Sequence, residues 1–437
     1  MTDKMKDKEL ACLFANCFPN TLDTTVLYAK PGDAFIITGD IPAMWLRDST
    51  NQILPYARYL NQSEELTKLF AGLIYRQASQ IVSDPFANAH NIDGLTGPSP
   101  HTGDATTYPT FGPSRTDAMK PGIFERKYEL DSLCAFLKLS RTFYEKTDGS
   151  LTQPFLSDTW QAAVTKVLQV FEDMQTSTAD DVARPGGAIY QFQRTTSEPT
   201  DTLSHGVGNP GMYTGMIRSM FRPSDDATTF PFLVPANAMA VVELRAVAKI
   251  LRSDAVNATA LASRAEKIAS EADKGISEHA VMLHRVAGEV YAYEVDGYGN
   301  AYFADDANVP SLLSLPYLGY VAADDALYNR TRELVLSPAN PWFFKGVAGS
   351  GIGGPHIGLN MIWPMSIIMR ALTSQDDGEI RQCLELLKAT SAGTGLMHES
   401  FNKDDVGSFT RPWFAWANSL FGELILKIAE ERPSLLF

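Results

Sequence analysis

Residues 126–146, RKYELDSLCAFLKLSRTFYEK, carry the pattern that recurs along most of this chain. Their apolar side chains lie three or four positions apart, at Leu130, Leu133, Phe136, Leu137 and Phe143. Because an α-helix has 3.6 residues per turn, this spacing places them on one face of a helix. The same spacing predicts further helices over 61–81, 156–175, 235–252, 258–279, 324–336, 360–372, 376–390 and 412–430.

Long segments without a helical pattern separate these helices. The longest span 83–121, 179–229 and 340–358 and are rich in Gly, Pro, Asp, Asn and Thr. Loops of this length are usually either functional or disordered, and their aromatic residues argue against disorder. Short alternating stretches at 34–38 and 290–294 predict a few small strands.

The order of elements favours one fold class. About a dozen helices with elaborate loops on one face predict an all-α helical toroid, which is a closed ring of helical hairpins. An α-solenoid is the alternative, but it should show a repeat period, and we find none. Because no linker or charge block divides the 437 residues, we expect a single domain over 18–437 after an N-terminal lead-in over 1–17.

The composition is that of a globular protein and bears on its partners. Hydrophobic residues make up 45% and charged residues 20% of the chain, and the net charge is −14. So acidic a chain offers no basic field to a nucleic acid or an anionic membrane, and no run of eighteen apolar residues predicts a membrane span. The four cysteines show no zinc-ligand spacing, so we expect free, buried thiols.

The compartment and the oligomeric state stay open. The start, MTDKMKDKEL, is polar and has no apolar segment behind it, so we predict no signal peptide in this chain. Three N-x-S/T sequons, at Asn61, Asn257 and Asn329, are weak evidence for secretion. The protein is expected in the cytoplasm as the chain is written, and outside the cell if a leader has been trimmed.

The block TGDIPAMWLRDS, residues 38–49, has the side chains that grip a sugar. Adjacent Arg47 and Asp48 cannot both face the core of one helix. Arg47 offers a planar fork of donors and Asp48 two acceptors, which suits neighbouring sugar hydroxyls. Trp45 adds a flat apolar face for a sugar ring. The alternative is an N-cap aspartate beside a surface arginine.

Two other blocks offer an acid and a base. RPSDDA, residues 222–227, places Asp225 and Asp226 in a stiff loop, where a general acid could have its pKa raised by desolvation or by a neighbouring negative charge. The alternative is an acidic helix start. Glu399, in GTGLMHESF, lies in a glycine-containing loop with room for a water molecule. The alternative there is an ordinary solvated glutamate.

Further blocks repeat carboxylates and aromatics at loop-to-helix junctions, where a toroid lines its central pocket. They are FERKYELDS, FADDANVPSL, GGPHIGLN followed by Trp363, and RPWFAWAN. Taken singly, the acidic and histidine blocks are explained by capping or solvated charge. Trp413 and Trp416, three apart on a predicted helix, are more typical of a core than of a binding site. The seven histidines show no two-histidine ligand spacing, and no GxSxG, Walker A or GxGxxG motif stands out, so we predict no metal and no cofactor.

Together these blocks resemble glycoside hydrolase family 125, the metal-independent exo-α-1,6-mannosidases. TGDIPAMWLRDSTNQ, ERKYELDSL, FRPSDDA, DDANVPSLL, PHIGLNMIWPMS, GLMHESF and TRPWFAWANSLFGEL follow the family's order from about Phe18 to about Glu423. The resemblance implies an (α/α)6 barrel that releases terminal α-1,6-linked mannose, with inversion, from a mannose-containing oligosaccharide or glycan.

The resemblance also implies roles for individual residues. Asp226 would be the general acid, with Asp225 as its nearest competitor, and Glu399 the general base. The candidate sugar-pocket residues are Trp45, Arg47, Asp48, Glu129, Asp131, Asp225, Asp306, His356, Trp363 and His398. Two alternatives remain: a mannan-binding toroid without catalysis, and an inverting hydrolase or a phosphorylase acting on another α-hexoside.

Overall fold

The computed structural model describes residues 1–30, 32–92, 97–108, 116–117, 119–151 and 153–437. Helices make up most of the regular secondary structure in these ranges. Fourteen α-helices lie there: α1 Lys8–Cys17, α2 Asn20–Thr24, α3 Leu46–Ile53, α4 Glu64–Ser83, α5 Leu130–Lys146, α6 Asp158–Met174, α7 Thr178–Val182, α8 Val234–Arg252, α9 Thr259–His279, α10 Leu315–Leu318, α11 Ala326–Val335, α12 Pro364–Leu372, α13 Asp377–Ala389 and α14 Ala415–Glu431.

The helices form an inner and an outer ring. In the inner ring α3 packs on α5, α5 on α8 and α8 on α10, while α12 packs on α14 and α14 closes back on α3. Tyr317 of α10 donates a hydrogen bond to Glu423 of α14 at 3.0 Å. Helices α1, α4, α6, α9 and α13 pack outside this ring. The predicted all-α toroid is therefore confirmed.

Helices of the inner and outer rings differ in how much of their surface is buried. Helix α8 is buried on all sides over most of its length. Its outer neighbour α9 buries only a stripe of mostly small residues, among them Ala262, Ala265, Ala269 and Ala272. A helix that is apolar all round belongs inside a protein, and one with a single apolar stripe belongs on its outside.

Short strands precede the inner helices. The strands are β1 Val26–Lys30, β2 Asp33–Ile36, β3 Met44–Trp45, β4 Ala89–His90, β5 Ala105–Tyr108, β6 Thr116–Asp117, β7 Ile123–Glu125, β8 Phe192–Gln193, β9 Phe232–Leu233, β10 Val281–His284, β11 Gly288–Tyr291, β12 Glu294–Val295, β13 Ala301–Tyr302, β14 Phe343–Lys345, β15 Ser350–Ile352, β16 Met361–Ile362, β17 Ser400–Asn402 and β18 Asp405–Thr410. The antiparallel sheets β3-β4-β7, β13-β12-β9 and β16-β17-β18 end next to α3, α5, α8 and α12. They fix the loops that enter the inner ring at the N-terminal ends of its helices.

Several elements differ from the sequence-based prediction. Residues 1–17, expected as a lead-in, contain α1, which packs on α13 and α14 and buries Leu10, Leu13 and Phe14. The loop expected over 179–229 begins inside α7, and the one over 83–121 includes residues 93–96, 109–115 and 118, which lie outside the described ranges. Three cysteines are buried free thiols as expected, whereas Cys12 is exposed. No helix in the described ranges is both long and apolar enough to cross a bilayer.

One ion pair joins two inner helices and gives a stability prediction. Arg141 of α5 donates to both carboxylate oxygens of Glu243 on α8, each at 2.8 Å, and Glu243 is buried. Replacing Arg141 with methionine leaves this buried carboxylate unpaired, so we expect the free energy of unfolding to fall by about 3–5 kcal/mol in a urea titration. Arg252→Ala, which removes an exposed pair with Glu266, is the matched control and should leave the unfolding midpoint unchanged. Equal midpoints for the two variants would contradict the prediction.

Candidate active site

A pocket opens where the N-terminal ends of α3, α12 and α14 meet. Trp45, Trp363 and Phe414, the residues immediately before these three helices, all line it. Of the predicted candidates, the pocket wall brings together Trp45, Arg47, Asp48, Asp225, His356, Trp363 and Glu399. Residues that lie more than 350 positions apart in the sequence thus share one small cavity.

Arg47 lines the pocket, and four acidic side chains surround its guanidinium. We call this group of five residues the pocket floor. Its Nη1 lies 2.6 Å from Glu129 Oε2 and 3.4 Å from Asp131 Oδ2, its Nη2 lies 3.1 Å from Asp225 Oδ1, and its Nε lies 3.3 Å from Asp48 Oδ2. A buried guanidinium must be paired, because transfer of a lone charge out of water is costly. Four carboxylates meet that requirement here.

Arg47 and Asp48 are both buried, although they are neighbours on α3. We expected that adjacent residues could not both face the core of one helix, and this was wrong. The pocket lies over the first turn of α3 rather than along its side, so side chains that diverge around the helix axis still enter the same polar interior. The alternative of an N-cap aspartate is also wrong, because Trp45 holds the N-cap position.

Glu129 and Asp131 lie behind Arg47 rather than on the pocket wall. Ser132 and Asn88 donate to Glu129 at 2.6 and 3.2 Å. Burial raises the pKa of Glu129 well above its usual range and that of Asp131 to about 6, against the opposing effect of Arg47. These two carboxyls therefore fix the position of the Arg47 guanidinium from the side away from the pocket.

Asp225 and Asp226 sit in a tight loop with different surroundings. The loop is closed by a hydrogen bond of 2.7 Å from the Arg222 amide to the Asp226 carbonyl. Asp225 has a φ of 66°, a left-handed conformation that is uncommon for a non-glycine residue. Lys127 Nζ donates to the Asp225 carbonyl at 2.7 Å and holds this conformation.

The two aspartates also differ in their ionisation. Burial acts to raise the pKa of Asp225, but the charges of Arg47 and Lys127 and a hydrogen bond with Glu129 together outweigh it and hold that pKa well below its usual range. Burial raises the pKa of Asp226. Asp226 Oδ2 is buried without a hydrogen-bond partner in the described ranges and lies 3.7 Å from Nδ1 of His356, which lines the pocket. Asp225 is thus held as a carboxylate, whereas Asp226 takes up a proton more readily than an ordinary aspartate.

Glu399 enters the pocket from just before β17 and is buried. Arg411 Nε lies 3.1 Å from Glu399 Oε1. Its Nη1 donates to Asp40 at 2.6 Å, so the guanidinium connects the inner carboxylate with one at the surface.

Besides Glu129 and Asp131, the predicted candidates Asp226, Asp306 and His398 do not reach the pocket wall. Protein groups already occupy the polar atoms of Asp306 and His398. Asp306 accepts hydrogen bonds from Ser224 and Asn308, each at 3.0 Å, and those two residues line the pocket in its place. His398 is buried, stacks on Phe409 with ring centroids 3.9 Å apart, and has each ring nitrogen 3.1 Å from a backbone carbonyl oxygen.

Two tryptophan indoles have unused donors at the pocket. Nε1 of Trp45 and Nε1 of Trp363 are buried and have no acceptor in the described part of the chain. Buried polar groups in native structures are normally paired, so unpaired ones that line a pocket indicate where a ligand supplies acceptors. Hydroxyl oxygens of a sugar would do so. In the same ranges, no group of three or more His, Cys, Asp or Glu is arranged to hold a metal ion.

Sequence analysis missed several residues of this site. Arg411 lies in RPWFAWAN, in which the two tryptophans are the stronger sequence signal. These do not share a helical face, because α14 begins at Ala415, after Trp413. Trp416 lines the pocket with Arg47 5.8 Å from its ring centroid, while Trp413 packs so closely on Gly39 that a Cβ there would lie 2.6 Å from the ring. Asn88 gave no signal because it lies in no acidic or aromatic cluster, and Lys127 lies in FERKYELDS, where the carboxylates were the candidates.

Comparisons with known proteins identify the family of this chain. The profile of the family described as metal-independent alpha-mannosidase (GH125) matches residues 7–426. The meiotically up-regulated gene 157 protein of Schizosaccharomyces pombe is 46% identical over 99% of this chain and 85% of its own. A metal-independent α-mannosidase of Streptococcus pneumoniae, solved as a non-productive substrate complex with α-1,6-mannobiose, has a TM-score of 0.88 at 38% identity, covering 97% of this chain and 95% of its own.

A more distant structure agrees in fold alone. A bacterial glucoamylase complexed with acarbose has a TM-score of 0.52 at 13% identity, over 88% of this chain and 48% of its own. The family resemblance noted in the sequence is confirmed by the profile and by the closer structure. The chain belongs to glycoside hydrolase family 125, the metal-independent α-mannosidases, and is a glycosidase that acts on α-mannosides.

Proposed function

We propose that this protein is an exo-acting, inverting α-1,6-mannosidase that removes one terminal mannose from an oligosaccharide or glycan. The observation that supports the proposal is the buried cluster of Arg47 and its four carboxylates, which we propose closes the inner end of the pocket to a longer chain. A pocket with a floor accepts the end of a glycan, whereas an open groove accepts its middle. The α-1,6-mannobiose bound by the Streptococcus pneumoniae relative supports the linkage.

Asp226 is the proposed general acid. A general acid must carry its proton at the working pH, and burial raises the pKa of Asp226 while Arg47 keeps Asp225 ionised. Asp226 donates this proton to the glycosidic oxygen as the bond to the anomeric carbon breaks. His356, 3.7 Å away, is proposed to lie beside the leaving group.

Glu399 is the proposed general base. It takes a proton from a water molecule that attacks the anomeric carbon from the face opposite the leaving group, which inverts the configuration there. In this arrangement the two carboxyls should lie about 6.5–9.5 Å apart with the sugar and water between them. Arg411 Nε, 3.1 Å from Glu399 Oε1, is proposed to orient this carboxylate.

The remaining pocket residues are proposed to hold the mannose. Arg47 and Asp48 would bind neighbouring hydroxyls at the floor, and the indole N–H groups of Trp45 and Trp363 would donate to hydroxyl oxygens nearer the mouth. We assign Glu129, Asp131, Asp306 and His398 to positioning, because their polar atoms contact protein groups.

Hydrolysis of the three mannobioses tests the function. We expect α-1,6-mannobiose to be cleaved in the presence of EDTA, with β-mannose as the first anomer seen by NMR and the α-1,2 and α-1,3 isomers cleaved much more slowly. Isomaltose, the α-1,6-linked glucose disaccharide, is the control for the sugar and should persist. First release of α-mannose would contradict inversion, and equal rates on all three isomers would contradict the linkage. Binding of mannobiose without any cleavage would favour a lectin-like toroid instead.

A further inference from the structure

We infer that Arg411 is a positioning residue for the general base, and that the strained backbone at this residue exists to bring its guanidinium to Glu399. The inference rests on the proposed role of Glu399. Arg411 has a φ of 51° and lies between β18 and α14. A left-handed conformation is unfavourable for a non-glycine residue and persists where the surroundings enforce it, often at functional sites.

The contact that enforces this conformation comes from His398, the residue before the proposed base Glu399. Nδ1 of His398 lies 3.1 Å from the Arg411 carbonyl oxygen, and His398 directly precedes Glu399. His398 is in turn fixed by stacking on Phe409 and by a contact of 3.1 Å between its Nε2 and the Ser391 carbonyl. The backbone of Arg411 and that of the base are therefore held to each other by one buried imidazole.

The side chain of Arg411 completes this arrangement. Its Nε lies 3.1 Å from Glu399 Oε1, its Nη1 donates to Asp40, and its guanidinium carbon lies 5.9 Å from the ring centroid of Phe414. No other Lys, Arg or His in the described ranges forms an ion pair with Glu399. Because Arg411 contacts one oxygen of Glu399, the other oxygen is left for the attacking water.

This geometry predicts an effect on turnover rather than on binding. Arg411→Ala frees the Glu399 carboxylate to rotate, and loss of alignment of about 1 Å costs about 100-fold in rate. We therefore expect kcat to fall about 100-fold while KM changes less than about threefold. Arg411→Lys keeps a charge but loses the fork that spans Asp40 and Glu399, so it should recover only part of kcat. Added guanidinium should raise kcat of Arg411→Ala and leave Glu399→Gln unchanged.

The experiment compares these variants with Arg252→Ala, whose arginine pairs with an exposed Glu266 far from the pocket and should leave kcat unchanged. Steady-state rates are measured on whichever α-mannoside the unmodified protein cleaves, so failure on α-1,6-mannobiose would count against the proposed linkage only. A crystal structure of Arg411→Ala gives a readout that needs no activity: the Glu399 carboxylate should be displaced. A kcat within threefold of the unmodified value, or Glu399 found in its original position, would overturn the inference.

Discussion

Replacing Asp226 with asparagine is expected to lower kcat on α-1,6-mannobiose by about 10³-fold, because a positioned general acid contributes roughly 10²–10⁴-fold to such reactions. The change removes the proton donor and keeps the shape of the side chain, so the melting temperature should stay close to that of the unmodified protein. The measurement is steady-state hydrolysis with purified variant, together with a thermal unfolding scan. Near-normal turnover would remove Asp226 from this role.

Asp225→Asn is the matched control, since it makes the same chemical change one residue away. A substrate with a good leaving group, such as an aryl α-mannoside with an acidic phenol, needs little protonation as its bond breaks. Asp226→Asn should recover most of its kcat on that substrate. Asp225→Asn should not, because its loss weakens the Arg47 cluster and affects both substrates alike. The opposite pattern would make Asp225 the acid.

The pH profile gives a second check on the same residue. Burial raises the pKa of Asp226, and only its protonated form is active as the acid. The rate should therefore fall as the pH rises through that pKa, which forms the basic limb of a bell-shaped profile. In Asp226→Asn nothing at this position titrates, so the residual activity should lack that limb.

The ring of helices could be predicted from sequence because most of its members are long enough to show a period. Helices α5, α8 and α9 lie within a few residues of their predicted bounds. The helices that were missed are α1, α2, α3, α7 and α10, of which α2 and α7 have five residues each. Helix α3 is buried on every side, so its sequence LRDSTNQI has no apolar stripe, and α10 is a single turn of four residues. Tertiary packing, rather than local propensity, makes these segments helical.

The site could be predicted in part, for a related reason. Carboxylates and aromatics at loop-to-helix junctions marked Arg47, Asp48, Asp225 and Glu399, all of which line the pocket. The pattern could not tell which carboxyls face a ligand and which support another side chain, as Glu129 does. That distinction depends on contacts between segments far apart in sequence. Arg411 was missed because its partner Glu399 lies in a different block of the chain.

Replacing Arg47 with methionine should have the largest effect on the fold of this protein. The change leaves Asp48, Glu129, Asp131 and Asp225 around an apolar side chain. Removing one partner of a buried ion pair costs about 3–5 kcal/mol, and we expect at least this loss in the free energy of unfolding at pH 8 by urea titration. Arg47→Lys keeps a charge but reaches fewer of the four carboxylates. Its free energy of unfolding should therefore lie between those of Arg47→Met and the unmodified protein.

The pH dependence of this loss separates charge from packing. Burial already raises the pKa of Asp131 to about 6, above the value of about 3.9 in an unfolded chain. A carboxyl whose pKa is higher in the folded protein than in the unfolded chain stabilises the fold at low pH. This contribution is complete below the pKa of the unfolded chain and is lost as the pH rises through the pKa of the folded protein. Without Arg47 the pKa values of Asp131 and Glu129 in the folded protein rise further. These carboxylates therefore take up protons as the pH falls below neutral, and the electrostatic repulsion between them decreases. The difference in unfolding free energy between Arg47→Met and the unmodified protein should therefore be smaller at pH 5 than at pH 8. An equal difference at both values would mean that Arg47 stabilises the pocket floor by packing rather than by charge.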